Sequence, residues 1–268
     1  MHAIGIDIGG TKIAGAVVAA SGEIIREARV PSPAQDSEAL VNAVVGLIQQ
    51  LSEGEEVLGV GVAAAGFIDA EQANIIYAPN LSWRNEPFKA KLEAKLPMPV
   101  IIENDANAAA WAEFRYGAGR GYQHMVMLTI GTGVGGGWVI NGRLLQGPNG
   151  LSGEWGHNPL PVSSANELTG PACYCGKHGC IEAWLSGPAL VADYQRHTHD
   201  LSINDVPELI NATAQGNASA QQALDRHTQR LARALATLIN AVDPETIVLG
   251  GGVSQLPGLI QDLYTALP

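Results

Sequence analysis

Four residues of this sequence have the chemistry of zinc ligands. The three cysteines of the chain are Cys173, Cys175 and Cys180, and His157 precedes them. One histidine and three thiolates form a closed four-ligand set, which is the composition of a structural zinc site. The Cys-x-Cys spacing is tighter than the usual finger spacing, so three reduced, buried cysteines remain an alternative. His178 is a competing ligand, but it lies inside the short cysteine loop, and we favour His157.

Two acidic residues flank these predicted ligands. Glu154 comes shortly before His157, and Glu182 comes shortly after Cys180. A bound metal that fixes the loop would orient both carboxylates rigidly. We therefore expect Glu154 and Glu182 to be suited to hydrogen bonding with a polyhydroxylated substrate.

A first glycine-containing loop has residues suited to a phosphate group. Gly9 and Gly10 permit a turn in which backbone N–H groups face an anion. Thr11 adds a hydroxyl donor and Lys12 adds a positive charge, while Asp7 can hold Mg²⁺ through water. The stretch predicts a phosphate loop, with a plain Gly-Gly hairpin turn as the alternative.

A second loop has glycines that match the G-x-G-x-x-G fingerprint, namely Gly131, Gly133 and Gly136. That fingerprint requires a following helix in dinucleotide-binding proteins, whereas Trp138–Ile140 indicates a strand. We therefore interpret Gly131, Thr132 and Gly133 as a second phosphate loop that faces the first. The alternative is a glycine-rich bend at a bulged strand.

A third glycine cluster, Gly250-Gly251-Gly252, follows a predicted strand. Three consecutive glycines let the flat face of a ligand approach the backbone closely. A plain tight turn is the alternative, and the cluster alone favours that alternative.

The candidate general base is Asp105. Asn104 and Asp105 precede an Ala-rich helical stretch, where such residues are most often N-caps. They also follow a predicted strand, and open α/β sheets bind ligands at the carboxyl ends of strands. A carboxylate there can take a proton from a substrate hydroxyl. Gly66 and Asn80 could also touch a substrate, although both are equally typical of loops.

Alternating strands and helices must position these residues. The first half reads as three strands, a helix and a strand, followed by a further strand and the Ala-rich helix; the second half restarts with a strand, a glycine loop and a strand. The two halves predict two related α/β domains, 1–117 and 118–268, with a ligand cleft between them. The predicted strands are Ala3–Ile8, Ile13–Val18, Glu23–Val30, Val57–Ala63, Val100–Glu103, Met125–Ile130, Gly136–Ile140 and Thr246–Leu249, and the predicted helices are Glu38–Leu51, Ala106–Tyr116, Ile181–Arg196, Ala218–Ala241 and one after Pro257.

Composition excludes several classes of protein. The 268 residues carry a net charge of −11, which disfavours nucleic acids and anionic membranes as partners. Apolar residues make up 46% and charged residues 15%, so the chain is not a disordered one. No apolar run approaches the length of a membrane span. The start of the sequence has no pattern of a signal peptide, and we expect a cytoplasmic protein.

The motifs together resemble those of the ROK family of sugar kinases and sugar-responsive repressors. They occur in family order across nearly the whole chain. The resemblance implies the actin/hexokinase-like fold, which is ribonuclease H-like and duplicated, with a cleft between its two α/β domains. The matching segments are Asp7–Lys12, Glu103–Asn107, Gly131–Gly137, Leu151–His157, Cys173–Glu182 and Val248–Gly252.

This resemblance implies phosphoryl transfer from MgATP to a hexose hydroxyl, with Asp105 as the base. It places Asp7, Gly9, Gly10, Thr11, Lys12, Gly131, Thr132 and Gly133 around the ATP phosphates and Mg²⁺, with Gly251 and Gly252 beside the adenosine. It assigns Gly66, Asn80, Asn104, Asp105, Glu154, His157 and Glu182 to the sugar, and His157, Cys173, Cys175 and Cys180 to structural Zn²⁺.

The preferred hexose is less clearly indicated. Tyr77–Pro87 and Glu103–Phe114 resemble the ROK glucokinases, whereas Gly153–Pro161 and the spacer before Cys173 resemble fructokinases and N-acetylglucosamine kinases of the family. We favour glucose, because the segments around Asn80 and Asp105 face the sugar in the family. The alternatives are a fructokinase or an N-acetylhexosamine kinase of the same family, or a broad hexokinase.

Two further expectations come from the resemblance. Family members continue for some tens of residues past the third glycine cluster, so a sequence that ends at Pro268 is either truncated or lacks the final helix. A homodimer or homotetramer is implied.

A repressor of the family would carry a DNA-binding segment before the first strand, and a non-catalytic sugar sensor would not need Asp105. The sequence favours the kinase over both.

Overall fold

The structure is a computed structural model that describes residues 1–69, 74–78 and 83–267. Its contacts divide the chain into two compact units. Unit 1 contains Met1–Ala112 and Leu145–Ser152, and unit 2 contains Glu113–Leu144 and Gly153–Pro268. The division therefore falls slightly before the predicted position near residue 117, and a short later segment returns to unit 1. Sequence periodicity did not show this return, because Leu145–Ser152 contains no helix or strand.

Unit 1 contains a five-stranded sheet in the order β3-β2-β1-β4-β8 and a small sheet in the order β5-β6-β7. Its elements are β1 (His2–Ile8), β2 (Lys12–Ala19), β3 (Ile24–Pro31), α1 (Ser37–Ser52), β4 (Val57–Ala64), β5 (Phe67–Ile68), β6 (Ile75–Ala78), β7 (Trp83–Glu86), α2 (Phe88–Glu93), β8 (Val100–Asn104) and the start of α3 (Asp105–Tyr116).

Alternation of apolar residues explains how the larger sheet is packed. Ile4, Ile6 and Ile8 of β1 are buried, whereas the residues between them are exposed. The apolar stripe of α1 belongs to the same core as these isoleucines. Asp36 begins the helix by accepting a hydrogen bond from the backbone N–H of Ala39 at 3.0 Å. One face of the sheet is thus fixed by the core of unit 1.

Unit 2 contains a four-stranded sheet in the order β11-β10-β9-β12 and most of the helices. Its elements are β9 (Met125–Ile130), β10 (Val134–Ile140), β11 (Arg143–Leu144), α4 (Ile181–Leu185), α5 (Gly187–Thr198), α6 (Val206–Ala214), α7 (Ala218–Val242), β12 (Thr246–Gly250) and α8 (Leu259–Ala266), with short 3₁₀ turns at Trp155–His157, Ala165–Glu167 and Gly252–Gln255.

The two larger sheets repeat one arrangement of strands. In unit 1, β1 pairs antiparallel with β2 and parallel with β4. In unit 2, β9 pairs antiparallel with β10 and parallel with β12. Each central strand therefore leads into a glycine-containing turn and back along a hairpin. The sequence analysis predicted this repeat, because each half of the chain contains a strand, a glycine loop and a second strand.

Three features differ from the sequence prediction. The helix predicted over Ile181–Arg196 is two helices, because Ser186 adopts an extended backbone and its hydroxyl oxygen accepts a hydrogen bond from the N–H of Ala189. The strand predicted from Gly136 begins earlier, at Val134. Helices α2 and α6 and the small sheet were not predicted, since their apolar patterns are short. Within the described residues, no helix combines the length and apolar character needed to cross a membrane.

Candidate functional site

Three parallel strands of unit 1 end at one edge of its sheet. Strands β1, β4 and β8 run parallel to one another, with Asp7 paired with Ala63 and Ala64 paired with Asn104. Their carboxyl ends bring Asp7, Gly66, Asn104 and Asp105 to the same edge. Polar residues at this edge of an open α/β sheet are well placed to contact a ligand.

Asn104 connects two of these loops. Its side-chain oxygen accepts hydrogen bonds from the backbone N–H groups of Ala106 and Asn107, at 2.9 and 3.1 Å, and so caps α3. Its amide nitrogen donates to the carbonyl of Gly66 at 3.1 Å. The N-cap alternative and the binding-residue prediction therefore describe the same side chain, which positions both Gly66 and the start of α3.

Asp105 is the first residue of α3 and is exposed. One of its carboxylate oxygens accepts a hydrogen bond from the N–H of Ala106 at 2.9 Å. Asp105 is thus solvent-accessible, with one carboxylate oxygen bound by the backbone of α3.

Asp7 lies within electrostatic range of Asp105. Desolvation of Asp7 and repulsion by Asp105 raise the pKa of the Asp7 carboxyl, while the Lys12 ammonium lowers that pKa. Two carboxylates that repel each other in this way favour a bound cation between them or beside them. The edge is therefore suited to a hard divalent cation such as Mg²⁺.

The first glycine turn joins β1 and β2. The N–H of Gly9 donates to the carbonyl of Lys12 at 3.0 Å, which closes the turn. Gly10, Thr11 and Lys12 are exposed. The structure shows the hairpin turn of the alternative, in which Thr11 and Lys12 are exposed, and the binding of phosphate there stays a prediction.

The sequence analysis missed a supporting network behind this edge. Glu103 accepts hydrogen bonds from the backbone N–H of Asn104 at 2.9 Å and from the side chain of Asn107 at 3.1 Å. The amide of Gln146 also donates to Glu103. The spacing of Glu103 and Asn107 by one helical turn was a usable signal, whereas the contact of Gln146 is not visible in sequence.

Unit 2 brings all four predicted zinc ligands together. Their ligand atoms lie within 4.8 Å of one another. The Sγ atoms of Cys175 and Cys180 are 3.6 Å apart, and Cys173 Sγ is 3.6 Å from Nδ1 of His157. A tetrahedral site with ordinary zinc bond lengths requires separations of about 3.5–3.8 Å. The donor set and its geometry therefore fit a zinc ion.

His178, the competing ligand, is outside this group of ligand atoms. It is exposed and pairs through its backbone with Ala172. His157 is instead oriented by Tyr174, whose hydroxyl is 2.9 Å from Nε2 of the imidazole. A hydrogen bond at Nε2 leaves Nδ1 as the metal-facing nitrogen. Desolvation and the negative charges of Glu182 and Glu154 raise the pKa of Tyr174 above its ordinary value, so its hydroxyl stays protonated.

Glu182 joins the zinc-ligand loop to the second glycine loop. One carboxylate oxygen accepts a hydrogen bond from the N–H of Val134 at 2.9 Å, and the other lies 3.9 Å from the sulfur of Cys173. The segment before the ligands also packs closely on β10, since a Cβ on Gly156 would lie 2.1 Å from the carbonyl oxygen of Val134. Glu182 and Gly156 therefore both pack against Val134 of β10.

The second and third glycine loops meet at a cavity in unit 2 of about 870 Å³. Gly131, Thr132 and Gly252 line one side of it. The N–H of Gly187 at the start of α5 donates to the carbonyl of Gly131 at 2.7 Å. The other side is largely apolar and suits a flat ring; its lining includes Pro188, Val191, Val206, Pro207 and Ile210, none of which the sequence analysis identified.

The predicted site residues therefore fall into two sets. Gly66, Asn104, Asp105, Asp7 and the first glycine turn lie in unit 1, whereas the zinc ligands, Glu154, Glu182 and the other glycine loops lie in unit 2. Asn80 lies outside the described residues.

Comparison with known proteins gives consistent relatives. The model of the ROK family matches residues 3–267. A glucokinase from Streptomyces coelicolor is 37% identical over an alignment of 274 positions, which covers 97% of this chain and 84% of the relative. An N-acetyl-D-glucosamine kinase from Shigella flexneri is 35% identical over 98% of this chain and 88% of that protein. The solved ROK glucokinase from Streptomyces griseus, in complex with glucose and AMPPNP, is 35% identical, with a TM-score of 0.82 over 99% of this chain and 88% of that chain.

Proposed function

Because the chain belongs to the ROK family and has the actin/hexokinase-like fold of ROK sugar kinases, we propose that it phosphorylates glucose with ATP. The product is glucose 6-phosphate. The observation that carries this proposal is the edge of unit 1, where Asp105 is fixed beside Asn104 and Asp7. The match to the Streptomyces griseus glucokinase, whose structure holds glucose and an ATP analogue, supports the same assignment.

Asp105 is the general base of the proposed reaction. The Ala106 N–H holds one carboxylate oxygen, and we assign proton acceptance to the other. As the sugar hydroxyl attacks the γ-phosphorus, its proton passes to Asp105 and the bond from the γ-phosphorus to the β,γ-bridging oxygen breaks. The charge that develops on the phosphoryl oxygens needs positive groups nearby, and we assign Lys12 and the loops Gly9–Thr11 and Gly131–Gly133 to this role.

Asp7 is the proposed partner of Mg²⁺. Burial of Asp7 and its repulsion from Asp105 raise the pKa of the Asp7 carboxyl, which supports the assignment of a cation to this edge. A bound Mg²⁺ would neutralise charge on the ATP phosphates. Asp7 would hold the ion, and Asp105 would stay available to the sugar.

The cavity of unit 2 is the proposed adenosine site. Its glycines at 131 and 252 permit close approach of the nucleotide to the backbone, and its apolar side is suited to adenine. Gly251, in the left-handed region at φ 83°, directs the chain into this cavity just before Gly252. The residues from α5 and α6 extend the sequence-based assignment.

Besides Asp105, six residues are assigned to the sugar in this proposal, namely Gly66, Asn80, Asn104, Glu154, His157 and Glu182. The Cys₃His group fits a structural zinc ion, whose chemistry there is to fix the loop that carries these side chains. His157 serves as a zinc ligand through Nδ1, and its ring edge remains beside Tyr174.

N-acetylglucosamine is the second candidate sugar. The relative from Shigella flexneri acts on it by name and is nearly as similar to this chain as the glucokinases are. The segment around the zinc ligands carries the corresponding resemblance. The two candidates share the same chemistry and differ in the group at carbon 2 of the sugar.

A coupled ADP-release assay tests the proposal. The purified protein is supplied with MgATP and, separately, glucose, N-acetylglucosamine, fructose, mannose, N-acetylmannosamine and glucosamine. We expect glucose to have the highest kcat/KM.

Asp105→Asn should lower kcat by about 10²–10⁴ while glucose binding, measured by calorimetry, persists. The exposed Asp225→Asn is the matched control and should leave kcat unchanged. If Asp105→Asn turned over as fast as the unmodified protein, the assigned base would be refuted. The absence of turnover with every sugar of the panel would refute the kinase assignment.

A further inference from the structure

A separate cavity of about 600 Å³ in unit 2 is lined by charged side chains that the proposed reaction does not use. These side chains come from α5, α7 and the 3₁₀ turn at Ala165–Glu167. They comprise four arginines and two carboxylates, namely Arg196, Arg226, Arg230, Arg233, Glu167 and Asp193.

Helix α7 presents three of the arginines on one face. Arg226, Arg230 and Arg233 are separated by one and two helical turns, which places them in a stripe. The stripe interrupts the buried apolar face of α7 and brings Arg230 to 6% exposure. A charged side chain at that depth requires partners, because an unpaired buried charge is costly.

Both carboxylates are used as those partners. Arg230 contacts Glu167 at 3.0 Å and Asp193 at 2.8 Å. Arg226 contacts Asp193 at 2.7 Å, and Arg233 contacts Glu167 at 2.7 Å. These contacts fix the positions of three guanidinium groups within a few ångströms of one another.

Both carboxyl groups are ionised in this cluster. Burial acts to raise the pKa of Glu167, but hydrogen bonds from Ser163, Arg230 and Arg233 outweigh it and bring the pKa to about 2. Burial acts in the same way on Asp193, and Arg230 and Arg226 hold its pKa below the ordinary value. Four guanidinium groups against two carboxylates therefore leave two positive charges in the cavity of a chain whose net charge is −11.

The fourth arginine, Arg196, contributes least to the ion pairs of this cluster. Arg196 is about half exposed, and its only ion pair within the described residues is a 3.5 Å contact with Asp193, which already has two closer partners. Trp184 orients it instead, because both Arg196 and Arg230 lie over the indole ring, at 5.6 and 4.3 Å. Arg196 thus lines the cavity, half exposed, with only this longer contact to a carboxylate that two other arginines already share.

We propose that this cavity binds the phosphate monoester of a small polyol. A phosphate monoester carries about two negative charges at neutral pH, which matches the excess positive charge. Fork-shaped guanidinium groups are suited to phosphate oxygens. The volume exceeds that of phosphate alone, and Ser164, Asn166 and Thr169 line the remaining space with groups that can bind hydroxyls. The site is distinct from the nucleotide cavity, and the inference does not rest on the proposed kinase activity.

Isothermal titration calorimetry with glycerol 3-phosphate tests this inference. The full chain is first saturated with glucose and a non-hydrolysable MgATP analogue, so that phosphate groups cannot report on the proposed active site. We expect glycerol 3-phosphate to bind with an affinity that weakens as salt is raised, whereas glycerol does not bind. Inorganic phosphate should bind more weakly than the ester, because it makes no contact with the polar residues of the lining.

Variants locate the binding. Arg196→Gln should weaken the Kd for glycerol 3-phosphate by about ten- to a hundredfold, the usual effect of losing a charge-assisted hydrogen bond. Arg196 is half exposed, so this variant should fold normally, as its melting temperature will show. Arg120→Gln removes an exposed arginine elsewhere in unit 2 and is the matched control. Trp184→Phe should weaken binding to a smaller extent.

Three results would overturn the inference. One is the absence of binding at millimolar glycerol 3-phosphate. Another is equal affinity in Arg196→Gln, Arg120→Gln and the unmodified chain, which would place the ester elsewhere. The third is equal affinity for the ester and inorganic phosphate, which would show that the cavity recognises phosphate but no polyol.

Discussion

The carboxylate of Glu182 accepts a hydrogen bond from the backbone N–H of Val134 at 2.9 Å. Through this bond, a residue predicted from its place beside the cysteines reaches the strand that follows the second glycine loop. The contact leaves little space at Gly133, where an added Cβ would lie 2.6 Å from the same carboxylate oxygen. The metal-ligand loop and the glycine loop are therefore packed as one structure.

Gly133→Ala tests this packing. The methyl group should displace the Glu182 carboxylate, break its bond to Val134 and lower stability by about 1–3 kcal/mol. The KM for ATP should rise as well, since Gly131 and Thr132 line the proposed nucleotide cavity. Melting curves and steady-state kinetics measure the two effects. Gly46→Ala on the exposed face of α1 is the control, and it should stabilise the protein slightly.

Metal content of purified variants tests the Cys₃His group. We expect about one zinc ion per chain in the unmodified protein and its loss in Cys175→Ser, because a structural site needs all four ligands. His178→Ala should keep the metal, since this histidine lies outside the group of ligand atoms. Zinc retained by Cys175→Ser, or lost from His178→Ala, would contradict the ligand set.

Asn104→Ala separates the two tasks of this residue. Loss of the cap of α3 should cost about 1 kcal/mol of stability. Loss of the bond to Gly66 should also raise the KM for glucose. Asp36→Ala removes the cap of α1, far along the chain from the site residues, and should reproduce the stability loss alone. If both variants change KM alike, Asn104 acts only on stability.

The buried histidine His227 is expected to make the folded protein less stable in acid. It is 1% exposed, and neither ring nitrogen has a hydrogen-bond partner among the described residues. Burial, with repulsion from Arg230, lowers its pKa from 6.5 to about 4. Between these values only the unfolded chain binds the proton, so stability falls as the pH drops from 6.5 towards 4. The loss should approach about 3 kcal/mol.

Urea denaturation across this pH range measures the effect. His227→Leu should flatten the pH dependence of the free energy of unfolding between pH 6.5 and 4, whatever its stability at neutral pH. His199→Asn alters an exposed histidine and should leave the slope unchanged. A slope that survives in His227→Leu would assign the acid sensitivity to other groups.

The sequence analysis predicted the elements that carry periodic patterns and missed those that depend on distant partners. Strand β1, helix α1 and helix α7 were predicted because their apolar spacing is regular. The zinc ligands were predicted because their residue types are rare. The break at Ser186 was missed, since a single capping hydroxyl within an apolar run does not change the run's periodicity.

Long-range polar contacts were the features that the sequence predicted least well. Nothing in the sequence around Glu167 indicates that it meets Arg230 and Arg233 of α7. In the same way, the apolar side of the cavity proposed for adenosine comes from α5 and α6, which are separated in sequence from the glycine loops that line it. Spacing along the chain predicts neighbours within one element, whereas these contacts arise from the packing of several.

The short helix α4 has the last cysteine at one end and Ser186-Gly187 at the other, where the Gly187 N–H is bonded to the carbonyl of Gly131. One helix of five residues therefore spans from the metal ligands to the nucleotide loop. We therefore expect that removing zinc from the Cys₃His group would loosen the cavity proposed for adenosine before it unfolds the protein.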